Sequence, residues 1–107
     1  MRVNALGRKI KELRKASELT LDQLAERSEC SKSYIWELEN RNPPRPSADK
    51  LSKIARQLGT TLDYLLDDDG QINQEDAADT QFFREYQQMP AETKEKFRKM
   101  VELWGKE

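Results

Sequence analysis

The sequence contains no histidine and a single cysteine in 107 residues. Without histidine, the chain lacks the commonest general base and the commonest zinc ligand. Cys30 can form neither an internal disulfide nor a cysteine–histidine nucleophile pair. The sequence also shows no glycine-rich phosphate-binding loop. We therefore expect no enzymatic activity, no bound metal and no cofactor.

Long apolar runs are absent as well. No stretch approaches the ~20 apolar residues of a membrane span, and the first residues lack the apolar segment of a signal peptide. We therefore expect a cytoplasmic protein without membrane contact. Glycine and proline are scarce, with four of each, while good helix formers are abundant, so the composition favours an all-α protein.

The charge is divided unevenly along the chain. Residues 1–66 carry 13 Lys and Arg against 9 Asp and Glu, whereas residues 67–107 carry 6 against 11. The segment 67–76 is acidic and has no apolar periodicity, which is typical of a linker. The sequence thus predicts a domain at 1–66, an acidic linker at 67–76 and a separate C-terminal segment at 77–107.

Apolar residues at helical spacing predict five short helices in the first part. Asn4, Thr20, Ser31, Ser47 and Thr61 are the expected N-caps. The predicted helices run from Ala5 to Ala16, Leu21 to Arg27, Ser31 to about Asn40, Ala48 to Leu58 and Leu62 to Leu66. The proline-rich run 43–46 separates the third helix from the fourth.

The C-terminal segment predicts a helical pair interrupted at Pro90. The expected apolar stripes are Phe82, Phe83, Tyr86 and Met89 on the first helix, and Phe97, Met100, Val101 and Trp104 on the second. This is more apolar surface than two isolated helices can hide, so we predict that these residues form a homodimer interface. The alternative is a hairpin that folds back onto the first five helices of its own chain.

Two short helices joined by a tight turn, second and third of five, are typical of a helix-turn-helix. Three stretches of the sequence resemble the Xre/Cro-like repressor family. They are Leu19-Thr20-Leu21-Asp22-Gln23-Leu24-Ala25-Glu26, Ser31-Lys32-Ser33-Tyr34-Ile35-Trp36-Glu37-Leu38-Glu39-Asn40, and Arg45-Pro46-Ser47 leading into 51–66. The resemblance covers about residues 5–66. It implies a five-helix lambda-repressor-like DNA-binding domain in a sequence-specific transcriptional regulator.

That regulator would be a repressor that binds a palindromic operator on double-stranded DNA as a dimer. The alternative is an antitoxin-like or partner-controlled protein whose C-terminal helices dock a regulatory protein. DNA binding at several salt concentrations separates the two, because neutralisation of phosphates makes affinity fall steeply with salt.

The third helix turns Ile35 and Leu38 inward and leaves a polar face outward. Lys32 could donate to guanine, and Glu37 could accept from a cytosine amino group. Trp36 is either a contact to thymine methyl and sugar surface or a packing anchor over the second helix. The predicted DNA-contacting residues are Ser31, Lys32, Ser33, Trp36, Glu37 and Asn40, with Arg41, Asn42 and Arg45 on phosphates. We interpret the cations of the first helix, Arg8, Lys9, Lys11 and Lys15, as a solvated face.

Five further positions bear on stability. Arg14 and Glu39 occupy inward-leaning positions where the resemblance places matching partners, so we predict an ion pair between the first and third helices. Glu29 stands in the turn where the family usually has glycine, and Glu18 where a helix-ending glycine is frequent. Glu29 should therefore adopt a positive φ, or the turn should differ. We interpret Cys30 as a small buried side chain rather than a redox sensor.

Overall fold

The computed structural model describes residues 5–41 and 46–105, and the regular elements within these ranges are all helices. The helices are α1 Ala5–Ala16, α2 Leu21–Arg27, α3 Lys32–Asn40, α4 Ala48–Gln57, α5 Leu62–Leu66, α6 Gln74–Gln88 and α7 Ala91–Gly105. The all-α prediction is confirmed. The expected cap Asn4 and the predicted phosphate contacts Asn42 and Arg45 lie outside the described residues.

Side-chain hydroxyls cap the starts of α2, α3, α4 and α5. The hydroxyls of Thr20, Ser31, Ser47 and Thr61 each accept a hydrogen bond from the backbone N–H three residues later. At α2 the bond is reciprocal, because the Gln23 side chain accepts from the Thr20 backbone N–H at 2.9 Å. Each cap satisfies a donor that the helix start would otherwise leave unpaired.

The first five helices enclose one apolar core, to which each of them contributes. Its most deeply buried side chains are Ile10, Leu24, Ile35, Leu38, Leu51, Ile54 and Leu65. Helix α3 packs against α1 and α2, while α4 packs against α2 and α5, and α5 also packs against α1. Because α3 is backed by two helices on one side, its opposite side is left to solvent.

Helix α6 begins before the predicted end of the linker. Asn73 caps it by accepting from the backbone N–H of Asp76 at 2.7 Å, so the irregular segment between α5 and α6 is 67–73. The first turn of α6 is polar throughout, and apolar periodicity could not reveal it. The spacing of Asn73 and Asp76 is a capping signal that the sequence does offer.

Helices α6 and α7 form a hairpin, here called the tail, in which the two helices contact each other through aromatic rings. The ring of Phe97 lies 5.4 Å from that of Phe82 and 6.1 Å from that of Tyr86, centroid to centroid. Ala77 is the buried residue of α6, and α7 has none. The hairpin therefore does not fold back to bury its apolar side chains against the first five helices.

The described residues form an elongated molecule. Their radius of gyration is 15.9 Å, and their principal extents are 50 × 29 × 23 Å, whereas a compact chain of this length would have a radius of gyration of about 13 Å. No helix in the described part of the chain combines the length and apolarity that a membrane crossing requires.

The prediction that the cations of α1 form a solvated face is wrong for Lys9. Arg8 and Lys15 are exposed and Lys11 is half-buried, but Lys9 is only 6% exposed. Its ammonium group reaches the end of α5, where it donates to two backbone carbonyls.

Candidate nucleic-acid interface

Ser28, Glu29 and Ser31 form the turn between α2 and α3. Ser28 ends α2 with its backbone N–H on the Leu24 carbonyl at 2.9 Å. Glu29 follows with φ of 56°, a left-handed conformation that glycine adopts without steric cost. Ser31 then starts α3 by accepting from the Tyr34 N–H at 3.0 Å. The positive φ expected of Glu29 is present, and Glu18 has one as well, at 58°.

The outward side of α3 carries a shallow cleft. Lys32, Ser33, Trp36 and Glu37 line it, and its volume is about 250 Å³. All four side chains are exposed, while Ile35 and Leu38 on the opposite side are fully buried. The cleft thus combines a cation, a hydroxyl, an indole and a carboxylate on one helix face. These groups include donors and acceptors of the kinds that read base edges.

Trp36 is exposed at 42% and makes contacts toward the end of its own helix. The Arg41 guanidinium lies 5.3 Å from the indole centroid, a cation–π arrangement. The Asn40 amide donates to the Trp36 carbonyl at 2.9 Å, so this amide is engaged by its own helix. Trp36 and Arg41 form a contiguous surface at the C-terminal end of the cleft.

Asp22, in the first turn of α2, is a residue that the sequence analysis missed. Its carboxylate lies 3.5 Å from the Lys32 ammonium, and both side chains are largely exposed. The ten-residue separation of Asp22 and Lys32 gives no periodic signal, because the pair depends on the angle between α2 and α3. Lys32, which lines the cleft, thus has an acidic neighbour on α2.

A buried ion pair fixes α3 against α1. Arg14 donates from Nε to Glu39 Oε2 at 2.7 Å and from Nη2 to Oε1 at 3.0 Å. Its Nη1 donates to the Leu19 carbonyl at 2.9 Å. The Glu39 side chain is 1% exposed and that of Arg14 is 12% exposed. The hydrogen bond to Glu39 raises the pKa of Arg14, against the opposing effect of burial.

Contacts with α4 support the turn and the other side of α3. The Ser47 N–H donates to the Tyr34 hydroxyl at 3.2 Å, and the Lys50 ammonium lies 4.7 Å from the Tyr34 ring centroid. Half-buried Cys30 is close to this region, and burial raises the pKa of its thiol while Lys50 and Lys53 act in the opposite direction. A raised thiol pKa is what a structural cysteine has, since reactive cysteines depend on a lowered one.

The predicted oligomerisation residues differ in exposure. Inside the hairpin, Phe97 contacts both Phe82 and Tyr86, and Met89 is half-buried. Exposed are Phe82 at 49%, Phe83 at 57%, Met100 at 44%, Val101 at 50% and Trp104 at 66%. Leu103, which the sequence analysis did not include, is 68% exposed. Met100, Val101, Leu103 and Trp104 together are here called the α7 end patch.

Comparison with known proteins identifies relatives of the first five helices. The profile of the helix-turn-helix domain family matches residues 5–66. The HTH-type transcriptional regulator SinR of Bacillus subtilis (strain 168) is 33% identical over an alignment of 76 positions, which covers 65% of this chain and 68% of SinR. The immunity repressor protein of Bacillus phage phi105 is 35% identical over 72 residues, which are 67% of this chain and 49% of that repressor.

A solved structure of SinR is also similar to this chain. The crystal structure of SinR, the master regulator for biofilm formation, in complex with DNA aligns with 58% of this chain and with 98% of the SinR chain in that structure. The TM-score is 0.55 and the sequence identity is 34%. The chain thus spans about two thirds of the length of the SinR sequence and about half of that of the phage repressor.

Proposed function

Because this chain belongs to the family of helix-turn-helix transcriptional regulators, we propose that it is a repressor that binds a palindromic operator as a homodimer. It acts in the cytoplasm and catalyses no reaction. The observation that carries the proposal is the exposed cleft of Lys32, Ser33, Trp36 and Glu37 on α3. Helices α1 and α2 back this helix on its inner side, so its polar face can enter a major groove of ~12 Å width.

Each side chain of the cleft has a role that suits its chemistry. Lys32 donates to the acceptors of guanine, Ser33 donates or accepts, and Glu37 accepts from a cytosine amino group. Trp36 presents an apolar ring that suits a thymine methyl group. Arg41, whose guanidinium lies 5.3 Å from the centroid of that ring, is a cation beside the cleft that suits a phosphate.

Asp22 makes the Lys32 contact selective. A carboxylate 3.5 Å from the ammonium holds Lys32 in place without DNA but is itself repelled by phosphates. Because both side chains are exposed, the pair contributes little to folding stability. Lys32 can therefore exchange Asp22 for a base acceptor at low cost, whereas a base that presents a donor at that spot, such as the cytosine amino group, leaves the acidic neighbour facing DNA.

Substitutions of these residues test DNA recognition. Bound sequences selected from a random duplex library identify the preferred half-site, and affinities for it are then measured between about 50 and 200 mM salt. Lys32→Ala and Glu37→Ala should change the preferred bases, whereas Arg45→Ala should weaken all sequences alike and flatten the salt dependence. Lys15→Ala, an exposed change on α1, is the matched control and should alter neither property.

An unchanged base preference in both Lys32→Ala and Glu37→Ala would remove the cleft from the recognition surface. A full-length chain that enriches no sequence from the library would contradict DNA recognition altogether.

The tail supports the homodimer. The α7 end patch places four apolar side chains in solvent, and contiguous exposed apolar groups mark association surfaces. Val101→Asp with Trp104→Asp should convert a sedimenting dimer to a monomer and leave thermal unfolding of the first five helices unchanged. Glu102→Gln, also exposed on α7, is the control. A full-length chain that is monomeric at tens of micromolar would refute the homodimer.

A second candidate function, docking of a regulatory protein, rests on the same exposed patch. A full-length chain that sediments as a monomer would favour this second function over the homodimer. In that case the Val101→Asp and Trp104→Asp changes should leave sedimentation unaltered and affect regulation only where the partner is present.

A further inference from the structure

The buried ammonium group of Lys9 lies where the first five helices join the tail. Its Nζ donates to the Tyr64 carbonyl at 2.8 Å and to the Asp67 carbonyl at 2.6 Å, and it lies 4.5 Å from the Tyr64 ring centroid. Helix α5 ends at Leu66, so both carbonyls belong to its C-terminal end, which carries partial negative charge. A buried ammonium without such partners is costly, so Lys9 holds α1 and the end of α5 in one arrangement.

The connector from α5 to α6 continues this arrangement. The Asp67 carboxylate accepts from the Asp69 N–H at 3.3 Å and from the Ile72 N–H at 2.9 Å. Asn73 then caps α6. The segment 67–73 is thus hydrogen-bonded near both of its ends, unlike a linker whose ends move independently. Lys9 binds the backbone of Asp67, and Asp67 binds the connector.

The direction of α6 matters because the helix is long. Its 15 residues span about 22 Å. If the direction of α6 changes by about 10° at its first residue, its far end moves by about 4 Å. This displacement is larger than the ~3.4 Å rise of one base pair. In a dimer joined through the tail, this direction determines how far apart the two α3 helices stand.

We propose that Lys9 and Asp67 set the spacing between the two half-sites of the operator. Both are positioning residues: they act through the direction of the tail. The inference rests on the proposed function, since it requires two copies joined through the tail. The core of the first five helices is formed by other residues, so loosening the junction should leave the reading of each half-site intact.

Selection of bound sequences from a random duplex library tests the proposal with full-length protein. The unsubstituted chain should enrich one half-site sequence in inverted pairs, with one spacing preferred about tenfold over spacings one base pair longer or shorter, because a stiff link engages both sites only at a matching distance. Lys9→Met and Asp67→Ala should enrich the same half-site, with neighbouring spacings within about threefold of each other.

Lys15→Met and Asp68→Ala are matched controls, since they remove the same charges at exposed positions of α1 and the connector. Both should keep the single spacing. Thermal unfolding is recorded for all variants, and if Lys9→Met does not fold, Asp67→Ala decides, because its side chain is only half-buried.

The outcomes separate this inference from the proposed function. Junction variants that fold and retain the single spacing would overturn the assignment of Lys9 and Asp67. An unsubstituted chain that enriches single half-sites only would also overturn it while leaving DNA recognition standing. If no sequence is enriched at all, the proposed function fails, and the spacing assignment fails with it.

Discussion

Substituting Glu39 by glutamine should destabilise the protein far more than the loss of one surface charge would. The Arg14–Glu39 pair has two hydrogen bonds of 2.7 and 3.0 Å, and the Glu39 side chain is 1% exposed. Glutamine preserves the shape but offers one acceptor where the carboxylate offers two, and its amide NH₂ faces an Arg14 donor. The guanidinium then remains partly buried without its counter-charge.

The structure places the cost near the lower end of the range for a broken buried pair. Removing one partner of such a pair costs about 3–5 kcal/mol. Arg14 is 12% exposed and keeps its bond to the Leu19 carbonyl, so about 3 kcal/mol is expected. In a domain of this size, that loss lowers the melting temperature by about 12 °C or more.

Urea unfolding followed by far-ultraviolet circular dichroism measures the effect. The midpoint should fall while the dependence of the unfolding free energy on urea stays constant. The matched control is Glu12→Gln, which breaks the exposed i,i+4 pair with Arg8 and should cost less than about 0.5 kcal/mol. A Glu39→Gln variant within about 1 kcal/mol of the parent would refute the reasoning.

The double variant Arg14→Met with Glu39→Leu supplies a second check. Replacing both charges by apolar groups leaves no unpaired ion, so the loss should be smaller than the sum of the two single losses. Additive losses would show that the two side chains do not stabilise each other.

Three further perturbations are expected to have measurable effects. Glu29→Gly should raise the free energy of unfolding by about 0.5–1 kcal/mol, because φ of 56° strains a non-glycine residue; Glu29→Ala is the control, and a gain there of equal size would contradict the backbone explanation. Thr60→Val should stabilise by about 1 kcal/mol, since the hydroxyl is buried without a partner among the described residues; a loss in urea unfolding would mean that the hydroxyl is bonded. Cys30 should alkylate more slowly in the folded than in the urea-unfolded chain, because burial raises its pKa. The unfolded thiol ionises first, so stability should fall as pH rises above about 8.5, and a Cys30→Ala variant with the same pH dependence would contradict this.

Local signals in the sequence were sufficient to predict the first five helices. Thr20, Ser31, Ser47 and Thr61 are hydrogen-bonding residues placed just before apolar periodicity begins, and each caps a helix in the structure. Capping and periodicity are properties of neighbouring residues, so they can be read without knowing the fold. The polar start of α6 escaped this reasoning because its cap precedes a turn without apolar residues.

The cleft on α3 was partly predictable for the same reason. Helical spacing assigns Lys32, Ser33, Trp36 and Glu37 to the face opposite Ile35 and Leu38, and the structure exposes all four. The neighbour of Lys32 was not predictable, since Asp22 approaches it across a turn whose geometry depends on how α2 and α3 pack.

The composition of each helix face and the starts of the first five helices follow from the amino-acid sequence, because both depend on contacts within a few residues. The burial of Lys9 and the binding of its ammonium to the carbonyls of Tyr64 and Asp67 depend instead on tertiary packing. These partners lie more than fifty residues away along the chain. Whether a lysine on a basic helix face meets solvent or a distant helix end is decided by how the helices pack, which its neighbours in sequence do not encode.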